Sequence, residues 1–245
     1  MAKRSGQALE VQMAQLEEAL GHSFVRRNLL VEAVTHRSYA TEHPPSPHNE
    51  RLEFLGDAVL GFIICAWLVE RFPTATEGEL AKAKGHLVAS TQLAQAATRI
   101  GLGNALRLGR NEEQQGGRRK QTLLENAFEA VIAAIYLDGG IAAAAAVVRR
   151  IFADEVATLD FARIAALDAK TALQDWLRFQ RRPLPCYATV AVEGQSHRPT
   201  FHVTVSVEGR LLGEGHGSSR KAAEQAAAAL ALQQLKAEVE QHGGH

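Results

Sequence analysis

Two cysteines in 245 residues, Cys65 and Cys186, exclude a disulfide framework and a thiolate metal cluster. Cys65 lies in an apolar run and Cys186 between strand-like residues, so both are read as buried free thiols. No paired-histidine spacing suggests zinc, and no Ser-His-Asp order stands out for nucleophilic catalysis. Net charge is also missing. The 27 Lys and Arg balance the 27 Asp and Glu, so a nucleic-acid partner has to be argued from local charge. Met1-Ala2-Lys3-Arg4 is basic but no apolar segment follows it, so no secretory signal is expected. The longest unbroken apolar run is shorter than the roughly 20 residues a bilayer takes, so no membrane association is expected. There is no internal repeat. The expectation is a soluble cytoplasmic protein.

What is present is apolar residue in quantity. At 46% it suffices for the core of one large domain or two smaller ones. Leu9–Leu20 has a helical rhythm after a frayed residue 1–8 stretch, and a second helix is expected over about Arg26–Thr35. Pro44, Pro45 and Pro47 interrupt the chain before a helix expected from Glu50 to Arg71, which stops before Pro73. Thr76 and Glu79 fit a capping box for a helix through Lys84, and another follows from Leu87 to Ile100. A glycine-rich loop then carries Arg107, Arg110, Arg118, Arg119 and Lys120. Helices are predicted from Gln121 to Leu137, ended by Gly139-Gly140, and from Ile141 to Thr158. After residue 160 the texture changes to helix (Ala169–Gln180), three strands (Tyr187–Val192, Thr200–Val207, Leu211–Gly215) and a closing helix (Ala222–Val239).

The chemistry concentrates in Asn49-Glu50-Arg51-Leu52-Glu53-Phe54-Leu55-Gly56-Asp57, which runs into the apolar segment Ala58–Val69. On a helix, Glu50, Glu53 and Asp57 share one face, and three like charges there repel unless a cation offsets them. Asn126 and Glu129 repeat the pattern ahead of Val131-Ile132-Ala133-Ala134-Ile135. Any one acid alone is better read as a cap or a surface ion-pair member. Both clusters together favour a shared site of oxygen ligands, the set that hard cations such as Mg²⁺ take. His43 and His48 are read as solvated loop residues rather than a base or a ligand.

Asn49–Leu60 resembles the signature of the ribonuclease III family, Thr35-His36-Arg37-Ser38 a second element of it, and Leu124-Glu125-Asn126-Ala127-Phe128-Glu129-Ala130 a third. The C-terminal unit resembles a double-stranded-RNA-binding domain. The resemblance implies an α+β multidomain chain: an all-α endonuclease domain over 9–160, a linker over 161–167 and an α-β-β-β-α RNA-binding domain over 168–237. It implies a double-strand-specific endoribonuclease, a homodimer acting by Mg²⁺-assisted phosphodiester hydrolysis, with Mn²⁺ as a substitute ion and no small-molecule cofactor. Products would carry 5′-phosphate and 3′-hydroxyl ends, and substrates would be structured precursors such as ribosomal RNA. The rival is a non-catalytic double-stranded-RNA-binding protein on the same fold.

By the same resemblance Glu53, Asp57, Asn126 and Glu129 are metal ligands. Asp57 and Glu129 act in catalysis with Glu50 in support, and Phe54 lies at the dimer interface. Asn126 departs from the family, which usually has Asp there, and this predicts a higher Mg²⁺ requirement. Thr171, Gln174 and His197 would meet minor grooves, while Ser218, Ser219, Arg220 and Lys221 would meet phosphates at a helix start. Ala222 stands where the family commonly has a third basic residue, so a shallower salt dependence is expected. By bare count the unit has nine basic and six acidic side chains over 168–236, a modest net of +3.

Overall fold

The computed structural model describes residues 2–162, 164, 169–195 and 198–242. The chain divides into two units, Met1–Leu159 and Asp160–His245. The first is helical: α1 (Ala2–Leu20), α2 (Arg27–Ala33), α3 (Arg37–Glu42), α4 (Glu50–Arg71), α5 (Glu77–Leu87), α6 (Ser90–Arg99), the short α7 (Leu102–Ala105) and α8 (Arg110–Gln114), a 3₁₀ turn (Gly117–Arg119), α9 (Gln121–Ile151) and α10 (Ala153–Ala157). Helix α1 already runs from Ala2 rather than Leu9, and α3 forms over Arg37–Glu42, where no helix was expected.

Helices α4 and α9 form the centre. α4 buries Leu52, Val59, Leu60, Ile63, Ile64 and Leu68, and α9 buries Leu124, Phe128 and the run Ala130–Ile135. Removing each of Leu60, Ile64, Leu68 and Phe128 from water contributes roughly 1.5–3 kcal/mol before entropy is counted. By length and composition α4 and α9 could each cross a bilayer, so the expectation that no segment is long enough does not hold. Their apolar residues instead supply the core of this unit. Gly140 has φ 77°, which breaks the helical geometry of α9 where glycine was expected to end it. Helix α5 opens with the Thr76–Glu79 capping box, both of its hydrogen bonds present.

Both cysteines are exposed, against expectation. Apolar neighbours on both sides of α4 hid which face points inward: Cys65 shares the outward face with Phe62 and Val69, which are 61% and 60% exposed.

The second unit contains α11 (Ala169–Phe179), the antiparallel strands β1 (Cys186–Gln195), β2 (Arg198–Val207) and β3 (Arg210–Gly217) in that order, and α12 (Arg220–His242). Leu173 and Leu177 of α11, Val203, Val205 and Val207 of β2, and Ala223, Ala227 and Ala231 of α12 form its core. The alternating Gly213, Gly215 and Gly217 let α12 lie close on β3. A Cβ at Gly215 would fall 2.2 Å from the Ala227 backbone nitrogen.

Candidate active site

The site is built where α4 crosses α9. At Gly56 there is no room for a side chain: a Cβ would lie 1.9 Å from the carbonyl oxygen of Glu129. The glycine therefore brings the Glu53–Asp57 turn of α4 against the Asn126–Glu129 turn of α9. Glu50 and Glu53 occupy the first turn of α4, where the helix dipole favours negative charge.

The electrostatics report the crowding. Burial, then the charges of Asp57, Glu125 and Glu53, push the Glu129 carboxyl up to about 7. Glu53 is raised as well, by burial first and then by Glu50, while a hydrogen bond from Asn126 and the charge of Glu125 pull in opposite directions. Donation by the Asn126 amide to Glu53 leaves its oxygen as a free acceptor. Among the described residues no three His, Cys, Asp or Glu side chains converge closely enough to hold an ion as they stand. The donor set nonetheless fits a hard cation: it is all oxygen, carries three formal charges at Glu53, Asp57 and Glu129, and repels itself without a counter-charge.

Glu50 lies beside the Arg37 guanidinium at 3.5 Å and the His48 imidazole at 3.7 Å. His48 is not the freely solvated residue expected, since its Nδ1 is buried and makes no hydrogen bond. His43 stacks on Tyr39 at 4.1 Å between ring centroids.

Thr35-His36-Arg37-Ser38 proves to be a brace. The Thr35 carbonyl accepts from the backbone N–H of Asn49 at 2.9 Å, fixing the start of α4. The His36 N–H donates to Arg107 O, and Ser38 Oγ accepts from Gly109 N at 2.9 Å. Arg107 donates to the buried Thr35 hydroxyl at 3.0 Å and lies over the Tyr39 ring. Arg118 bonds the carbonyls of Gly103 and Asn104 and pairs with Glu113, and Lys120 pairs with Glu112 at 2.7 Å. Arg107 and Arg118 are thus half-buried and engaged inside the fold, while Arg110, Arg119 and Lys120 are exposed, Lys120 paired with Glu112.

In the second unit Ser218, Ser219, Arg220 and Lys221 are exposed at the start of α12, and Ser219 Oγ accepts from Ala222 N at 3.2 Å. Arg220 is paired with Glu224 at 3.0 Å, and Glu224 also holds Lys170 at 2.6 Å. Any phosphate that takes Arg220 therefore competes with a carboxylate. Thr171 is exposed and Gln174 half-buried on one face of α11. His197 lies outside the described residues. Phe54 is 84% exposed on α4.

A family model described as Ribonuclease-III-like matches residues 26–155, and one described as double-stranded RNA binding motif matches residues 169–235. Ribonuclease 3 of Symbiobacterium thermophilum is 47% identical over 217 residues, 88% of this chain and 91% of the relative. Ribonuclease 3 of Geobacter sulfurreducens is 45% identical, covering 90% of each chain. Among solved structures, the ribonuclease III nuclease domain of Campylobacter jejuni, described with flexibility in a region involved in dimer formation, is 38% identical. It superimposes with a TM-score of 0.53 over 56% of this chain and 93% of its own.

Proposed function

The chain belongs to the ribonuclease III family and is a double-strand-specific endoribonuclease; we propose that it cleaves with Mg²⁺ held by Glu53, Asp57, Asn126 and Glu129. The observation that carries this reading is the contact at Gly56, which brings acids of α4 and α9 together so that their charges, with burial, raise the Glu129 carboxyl. When bound, the ion would neutralise charge at the scissile phosphate and make the attacking water more acidic. The chain's own part is to bind and orient. The brace at Thr35 and Asn49 fixes α4, Gly56 fixes the two helices, and Glu50 stands at the edge between Arg37 and His48. Mn²⁺ would serve the same oxygen ligands, and no small-molecule cofactor is required.

The second unit supplies affinity for duplex RNA. Thr171 and Gln174 on α11 and Ser218, Ser219, Arg220 and Lys221 at the α12 start would read A-form shape through 2′-hydroxyls and phosphates rather than base sequence. Processing of structured precursors, ribosomal RNA included, in the cytoplasm and away from membranes, is the role this fits. The test is incubation of a long duplex with Mg²⁺: short products with 5′-phosphate ends are expected from the duplex and not from single strands. Binding without cleavage, in Mn²⁺ as in Mg²⁺, would overturn the reading.

A homodimer is supported by the outward stripe of α4. Phe54, Ala58, Phe62, Cys65 and Val69 recur at helical spacing and are all exposed, an arrangement that suits a second copy of the same helix. Phe54→Asp is expected to convert a dimer into a monomer in sedimentation at the same protein concentration, with duplex binding retained. An unchanged sedimentation coefficient would exclude this face.

A further inference from the structure

Glu125 stands one residue before Asn126 and four before Glu129 on α9, so it lies on the Glu129 face of that helix. Its carboxylate accepts a hydrogen bond from the hydroxyl of Ser90, the first residue of α6, and the Ser90 oxygen in turn accepts from the Gln121 amide at 2.9 Å. None of the roles assigned above uses Glu125.

We infer that Glu125 is a positioning residue of the cation site, returning the negative charge that Asn126 does not supply. The inference rests on the Mg²⁺ site proposed above. Because Mg²⁺ usually keeps several of its waters, a carboxylate adjoining the ligand set can act on the ion through them. A purely structural tie between α6 and α9 would not require the charge, since a glutamine oxygen can also accept the Ser90 proton, in a weaker hydrogen bond. Glu125→Gln keeps the size and an acceptor for Ser90 and removes the charge.

The measurement is Mn²⁺ binding to the full chain without RNA, followed by the loss of the free-ion electron paramagnetic resonance signal, with Mg²⁺ as competitor. Glu125→Gln is expected to weaken binding by about tenfold or more, within the range for groups that support metal ligands. Asn126→Asp alone should tighten it, and Glu125→Gln/Asn126→Asp should return it close to the original value, because the charge has only moved by one residue. Ser90→Ala should give part of the Glu125→Gln loss. Wild-type affinity in Glu125→Gln, or a double variant no tighter than Glu125→Gln, overturns the inference. Glu129→Gln separates this from the parent reading. If that variant binds Mn²⁺ normally, the site itself is wrong; if it loses binding while Glu125→Gln does not, only the role of Glu125 is wrong. Circular dichroism and duplex binding confirm that each variant is folded.

Discussion

Replacing Glu129 with Gln is expected to leave duplex RNA binding unchanged and to slow cleavage by about 10³-fold or more, the scale of losing several kcal/mol of transition-state stabilisation by a metal ligand. The substitution is isosteric, and the RNA-binding residues belong to the other unit, so the effect should fall on turnover alone. A second measurement on the same variant reads the electrostatics. Burial and the Asp57, Glu125 and Glu53 charges raise the Glu129 carboxyl from an ordinary 4.5 to about 7. Between those values the folded state holds a proton that the unfolded chain has released, so stability in chelator should fall as pH rises from about 4.5 to about 7. Glu129→Gln removes the Glu129 share of that slope, because glutamine has no proton to lose, and leaves the share of Glu53. A chelated wild type whose melting temperature is flat over this window would show that the acids do not crowd as described.

How far the sequence carried this can be seen from particular residues. Helix α4 was legible to its ends, since three prolines before it and Pro73 after it bound an apolar run longer than its neighbours, and it spans Glu50–Arg71. The capping box at Thr76 and the three strands were legible for the same reason: their signals are local. The face that α4 turns inward was not. The helix is apolar nearly all round, so periodicity could not say that Cys65 and Phe54 face out while Leu60 and Ile64 face in. Contacts across long separations were beyond reach as well. Thr35 bonds Arg107, 72 positions on, and Arg118 of the same glycine-rich loop is spent on the Gly103 and Asn104 carbonyls. Glu125 shows the limit most clearly. It lies inside the Leu124–Ala130 motif, yet its link to Ser90, 35 residues away, exists only once α6 and α9 have met.

Gly56→Ala should be the most damaging single-methyl change in the first unit. At an ordinary position inside a helix, alanine is better than glycine by roughly 0.5–1 kcal/mol because the unfolded chain has less freedom to lose. Gly56 lies inside α4 and is buried, but its added Cβ would meet the Glu129 carbonyl oxygen at 1.9 Å and its carbon at 2.4 Å. These are backbone atoms at the start of the buried Ala130–Ile135 run, so no side chain can rotate away; α4 and α9 must part. Overpacking typically costs about 1–3 kcal/mol and sometimes more, and a backbone-against-backbone clash belongs at the top of that range. The parting also moves Glu53 and Asp57 from Asn126 and Glu129, and a displacement of about 1 Å at a reacting centre can cost about 10²-fold in rate. Urea denaturation should therefore show the first unit unfolding at lower denaturant, and the folded fraction should cleave poorly, while duplex binding by the second unit is preserved. A variant as stable as the wild type would mean that the two helices do not meet backbone to backbone, and the acid pairing that defines the site would lose its physical basis.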